Sequence, residues 1–85
     1  MKKGSAGTIE SNDVKITVEE ALDLQIKIES IVFEFYGDQI MKVIKDTLDE
    51  LGIEKVHVLV QDKGALDYTI KSRLMTALER MKDDE

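Results

Sequence analysis

The chain contains no cysteine and one histidine, His57. Without thiols it can form no disulfide, no zinc site built on thiolates, and no thioester of its own. Proline is absent too, and no low-complexity stretch or internal repeat breaks the sequence. With no linker in view, residues 1–85 are expected to form a single domain. No apolar run approaches the ~18 residues of a membrane span. Met1-Lys2-Lys3 is followed by Gly4-Ser5-Ala6-Gly7-Thr8 rather than an apolar segment. No secretory signal is therefore expected, and a cytoplasmic location fits. Basic residues are outnumbered, 12 against 18 acidic, for a net charge of -6. That balance argues against nucleic acid and against an anionic membrane surface, both of which need a Lys/Arg face. At 85 residues the chain can bury one modest core, with little left for a roomy cleft.

What is present is a clear alternation of strand and helix periods. Thr8 to Glu10 reads as a short extended segment that ends at Ser11-Asn12-Asp13, three residues whose side chains can bond the local backbone in a turn. Val14, Ile16 and Val18 alternate with polar residues, the period of a half-buried strand. Glu19-Glu20-Ala21 reads as a short turn. Leu22, Leu24, Ile26 and Ile28 then mark a second alternating strand. Ser30 to Tyr36 can finish that strand or open a helix. Gly37 interrupts, and Asp38 reads as the N-cap of a helix carrying Ile40, Val43, Ile44, Thr47, Leu48 and Leu51 on one stripe. Gly52 stands where a helix ends in a positive φ. Val56, Val58 and Val60 form a further strand, closed by Gln61-Asp62-Lys63-Gly64. Leu66, Ile70, Leu74, Leu78 and Met81 give the last helix its apolar stripe. The order β-β-β-α-β-α predicts an α+β two-layer sandwich, a four-stranded sheet with two helices on one face. The crossover through the first helix is expected to be right-handed. Lys15, Thr17, Asp23, Gln25, Lys27, His57 and Leu59 are assigned to the solvated face.

Few side chains can do chemistry. Ser11, at the tip of the first hairpin, is either a plain turn serine or an exposed hydroxyl that another enzyme can modify. It has no Gly-x-Ser-x-Gly context, and the one possible base, His57, belongs to a different strand. His57 itself reads as a half-exposed sheet residue rather than a metal ligand or a catalyst. The loop Asp62-Lys63-Gly64-Ala65-Leu66-Asp67 is a turn and N-cap, with a small anion site at a helix start as the alternative. Glu10 with Asp13, and Asp62 with Asp67, are the possible carboxylate pairs for acid–base work. Met41, Met75 and Met81 read as core or rim. No catalytic residue and no metal site is expected.

Three segments together resemble the acyl carrier protein of citrate lyase, its gamma subunit. Ala6-Gly7-Thr8-Ile9-Glu10-Ser11-Asn12-Asp13-Val14 is similar to that family's A-G-T-x-E-S-x-D segment. Tyr36-Gly37-Asp38-Gln39-Ile40 is similar to its F-G-D-x-I, with Tyr36 where phenylalanine is usual. Asp62-Lys63-Gly64-Ala65-Leu66-Asp67, followed by the helix through Arg73-Leu74, is the third. The turn at Glu19-Glu20-Ala21 is shorter than in some family members. The resemblance implies that Ser11 anchors 2'-(5''-phosphoribosyl)-3'-dephospho-CoA through a phosphodiester. It implies that the thiol of this arm carries acetyl and citryl thioesters between an alpha subunit, the acyl transferase, and a beta subunit, the citryl lyase. A prosthetic-group transferase is the further implied partner. The chain itself is then a carrier and not an enzyme. The absence of cysteine agrees, since a thioester carrier without a thiol must import one. A malonate decarboxylase-type carrier is the nearest alternative, and a non-carrier interaction or regulatory module the more distant one. Glu10, Asp13, Glu19 and Glu20 are expected to form an acidic hairpin end that meets basic partner surfaces.

Overall fold

The Val14–Ile16–Val18 alternation does what its period requires: β2, Val14–Glu20, turns all three side chains into the core and leaves Lys15 exposed. The computed structural model describes residues 1–84, and within them β1 is Lys3–Gly7, β3 Leu24–Ser30, α1 Phe33–Glu50, β4 Val56–Asp62 and α2 Asp67–Lys82. The order is the expected β-β-β-α-β-α. One sheet runs β1-β2-β4-β3, with β1 and β4 antiparallel to β2, and β3 parallel to β4. α2 lies over β1 and β2, and α1 over β3. Valines of β2 and β4 meet Ile40, Ile44 and Leu48 of α1 and Ile70, Leu74 and Leu78 of α2 in one buried cluster. Truncating a fully buried member such as Ile44 to alanine costs about 2–5 kcal/mol.

Four boundaries differ from the sequence reading, each for a local reason. The first strand is not Thr8–Glu10 but Lys3–Gly7, which begins five residues earlier and ends before Thr8. Its inward residues are Gly4 and Ala6, too small to write a strand signature. They are small because α2 sits directly upon them: a Cβ at Gly4 would collide with the Ala77 carbonyl and the Met81 amide. Second, Glu19 and Glu20 are strand residues paired with His57 and Val56, so the connection to β3 is residues 21–23. Leu22, assigned to a strand, is 81% exposed in that connection.

Third, α1 starts at Phe33 rather than at an Asp38 cap, and Gly37 lies inside it. A glycine there costs about 1 kcal/mol of helix propensity. Gly37 is nonetheless buried, and a Cβ on it would come within 2.9 Å of the Phe33 ring. It clears space for that ring and does not break the helix. Fourth, Leu66 precedes α2 as its N-cap and is 61% exposed, so the buried stripe begins at Ile70. The helix end at Gly52 is as expected. With φ of 67°, Gly52 donates to Asp49 O and Ile53 to Leu48 O, the paired bonds that close a helix on a left-handed residue.

Candidate functional site

β1 ends at Gly7 and β2 begins at Val14, so residues 8–13 must reverse the chain. Gly7 has φ of 89°, and a side chain there would run into the Val14 carbonyl. The start of the reversal therefore depends on glycine. The Asp13 N–H donates to Glu10 O at 3.1 Å, closing a β-turn with Ser11 and Asn12 at its centre. Asn12 has φ of 65°, the positive value that the third position of a type II turn needs and that asparagine tolerates.

Asp13 holds this turn in place. Its Oδ1 accepts from the Val14 N–H at 2.7 Å, and its Oδ2 from the Thr8 hydroxyl at 2.8 Å and the Thr8 N–H at 3.2 Å. Arg73 reaches up from α2 with both ends of its fork, Nε to Oδ1 at 3.2 Å and Nη2 to Oδ2 at 3.3 Å. The Val14 amide first, then the Thr8 hydroxyl and Arg73, hold the Asp13 carboxyl down at about 2. The backbone is tied as well: Asn12 N–H donates to Lys63 O at 2.8 Å and Lys63 N–H to Asp13 O at 2.9 Å. The turn is thus fixed to the β4–α2 loop on one side and to α2 on the other. Ser11 takes no part in these bonds and is exposed, as are Ile9, Glu10 and Asn12 around it. The arrangement presents an exposed primary hydroxyl on a braced corner.

The other residues singled out in the sequence fall elsewhere. His57 pairs with Glu19 and Gln25, whereas the Ser11 end of β4 is Asp62, five steps or about 17 Å along the strand. It cannot serve Ser11. Its Nε2 lies 2.6 Å from Asp23 Oδ1, and that bond, followed by one from the Gln25 amide, lowers the Asp23 pKa. No group of three or more His, Cys, Asp or Glu side chains among the described residues could hold a metal ion. Neither carboxylate pair forms. Asp13 bonds Thr8, Val14 and Arg73, while Glu10 joins the turn through its backbone. Asp62 is 2% exposed and accepts from Ser30 Oγ at 2.8 Å and Ala65 N–H at 2.9 Å. Asp67 instead accepts from the Gln39 amide at 2.6 Å. The start of α2 carries its own anion, since Asp67 occupies the first turn, where the helix dipole favours it. Nor do the four acids share one end. Glu19 and Glu20 lie at the far end of β2, about 20 Å from the Ser11 turn, and Asp13 is paired with Arg73.

Thr8, Lys63 and Arg73 are the bracing residues that sequence reasoning did not assign. Arg73 is 60 positions from Asp13, and no local pattern announces such a pair. A family model described as "Malonate decarboxylase delta subunit (MdcD)" matches residues 1–81. The chain is 45% identical over 80 residues to the citrate lyase acyl carrier protein of Halothermothrix orenii, covering 93% of this chain and 85% of the relative. It is 46% identical over 82 residues to that of Lacticaseibacillus casei, covering 95% and 81%. It is 41% identical over 83 residues to that of Haemophilus influenzae, covering 98% and 87%. Its backbone matches a chain in the crystal structure of a Pseudomonas malonate decarboxylase hetero-tetramer in complex with malonate, with a TM-score of 0.82. That match spans 94% of this chain and 84% of the other at 17% identity, a likeness of fold.

Proposed function

The chain belongs to the citrate lyase acyl carrier proteins, which are carrier and not catalytic subunits, and from that premise we propose that Ser11 is the anchor for a phosphoribosyl-dephospho-CoA arm. The observation that carries this reading is the exposed Ser11 hydroxyl on a turn that Asp13, Arg73 and Lys63 hold from below. The turn fits such a group: the flanking side chains of Glu10 and Asn12 are exposed, which leaves a transferring enzyme access to the hydroxyl. When bound, the arm supplies the thiol that the chain lacks and holds acetyl or citryl as a thioester. The chain's own contribution is mechanical. Gly7 and Asp13 fix the backbone on both sides of Ser11, so the root of the arm is stationary while its length provides the reach. A tether of this kind raises the local concentration of the carried group at each partner site. The partners are the transferase and lyase subunits of citrate lyase and the enzyme that loads the arm, in the cytoplasm. No helix among the described residues is long and apolar enough to cross a membrane.

A malonate decarboxylase-type carrier is the second reading, favoured by the family description and the shared fold. The higher identity to citrate lyase carriers supports the first. A non-carrier interaction module would have no need of a free hydroxyl at this turn. The test is to co-express the chain with the enzymes that build and transfer the arm and to measure intact mass. Wild type should gain one nucleotide-containing arm and Ser11→Ala none. A wild type that stays unmodified while a known carrier is loaded beside it sinks the proposal.

A further inference from the structure

A groove of about 680 Å³ opens between the start of α1 and the loop that joins β4 to α2. Gly64 and Ala65 line it on one side and Val32, Tyr36 and Tyr68 on the others. Its position is the first point of interest. A Cβ at Gly64 would lie 3.7 Å from Asn12 Oδ1, and the Asn12 N–H bonds the Lys63 carbonyl. Gly64, one of the groove's lining residues, therefore packs beside Asn12, the residue next to Ser11. Its chemistry is the second. Tyr36 and Tyr68 are 57% and 71% exposed and Leu66 is 61% exposed, a concentration of large apolar side chains beside the one anchoring hydroxyl. Gln39 and Asp67, bonded at 2.6 Å through Asp67 Oδ2, are polar members of these walls together with Asp62, whose carboxylate is already bonded to Ser30 and Ala65.

We propose that this groove receives the adenosine moiety of the arm carried on Ser11, an inference that rests on the anchor reading above. The volume lies in the range that encloses a small organic ligand. Tyrosine rings offer flat faces on which a purine stacks. The remaining Asp67 oxygen can accept from an exocyclic amine, and the Gln39 amide can meet a ring nitrogen. The choice of adenosine over the thiol end follows from distance along the arm. The phosphoribosyl and adenosine units lie nearest the serine, and the groove's Gly64 wall packs against Asn12 beside it. Seating the base there shortens the mobile part of the arm to its pantetheine end. The carried acyl group then searches a smaller volume around the turn.

The experiment uses the full ¹⁵N-labelled chain, loaded by the arm-transferring enzymes and checked by intact mass. Loaded and bare protein are compared by amide spectra and by cross-relaxation between adenine and tyrosine ring protons. The expected result is amide shifts at Gly64, Leu66 and Tyr68 and adenine contacts to Tyr36 or Tyr68. The double variant Tyr36→Ala/Tyr68→Ala should keep the mass gain and lose the amide shifts at Gly64 and Leu66; shifts that persist there without the two rings overturn the groove proposal. Both side chains are largely exposed, so the fold should survive the change. A loaded chain whose shifts are confined to residues 9–13 overturns the groove proposal and leaves the anchor intact. Shifts that appear only with a partner subunit, or that grow with protein concentration, make the groove a docking face and overturn it too. Failure of wild type to gain the arm overturns both readings.

Discussion

β2 is entered and left by two short connections, residues 8–13 at one end and 21–23 at the other, and they are built to different standards. The first is held by two backbone bonds to the β4–α2 loop, by the Asp13 carboxylate and by Arg73 from α2. Its entry requires a glycine and its corner a positive φ. The second is held by side chains at the surface, Asp23 to His57 and Gln25, and its Leu22 projects into solvent. The lesson is that the loop bearing the candidate anchor is the more heavily bonded one. A serine that must enter another enzyme's site gains from a fixed backbone, because misplacement of a reacting group by even an ångström slows transfer steeply. A mere connector needs only to span its gap.

The strongest way to break this contrast is Gly7→Ala. A side chain at that φ, pressed against the Val14 carbonyl, should cost about 2 kcal/mol. In a domain of this size that lowers Tm by roughly 10 °C. Thermal unfolding followed by circular dichroism measures it. An unchanged Tm would mean that the turn can relax freely and is not braced. Next comes Asp13→Ala, which removes the acceptor of five hydrogen bonds while leaving Ser11 untouched. Loading of Ser11, followed by intact mass over time, should slow roughly tenfold or more. Loading at the wild-type rate would show that rigidity there serves stability alone.

The sequence declared some of this and concealed the rest. Alternating valines and isoleucines announced β2 and β4 because each strand buries one face against helices. The Gly52 helix end was legible because its positive φ needs glycine. β1 was not, since close approach of α2 selects Gly4 and Ala6 over the β-branched residues that mark a strand. Gly37 misled for the opposite reason: a packing glycine looks the same in sequence as a helix breaker. At the site, Ser-Asn-Asp declared a turn, and it was the family resemblance, not the spacing, that singled out Ser11 as the candidate anchor. The Asp13–Arg73 pair stayed hidden, because two residues 60 positions apart meet only through the fold. The groove at the β4–α2 loop was hidden likewise, as its walls come from α1, β4 and the start of α2.

Acid sharpens the contrast with less force than mutation. The Asp13 carboxyl sits at about 2, below its ordinary 3.8. A depressed carboxylate stabilises the fold above its unfolded value, and that stabilisation is lost as pH falls through the folded value. The turn should therefore stay closed at pH 5 and loosen from about pH 4 down toward 2. The measurement is the stability difference between wild type and Asp13→Asn as a function of pH. It should be constant near neutrality and shrink across that window, as wild type loses the charge that the variant never had. A difference that holds its size at the acid end would mean that the charge of Asp13 contributes nothing to holding the turn.

The smallest effect is expected at the other connection, and it tests the contrast from its weak side. Asp23 is exposed, and its bonds to His57 and Gln25 lie on the solvated face of the sheet. Water and salt screen such pairs, which contribute little to stability in most proteins. Asp23→Asn keeps the size of the side chain and removes the charge, so Tm should move by less than about 2 °C. Loading of Ser11 should not change, because residues 21–23 lie at the opposite end of β2 from the turn. If Asp23→Asn slowed loading as much as Asp13→Ala, the two connections would have to be coupled along β2. The bracing of residues 8–13 would then be a property of the whole strand and not of that turn.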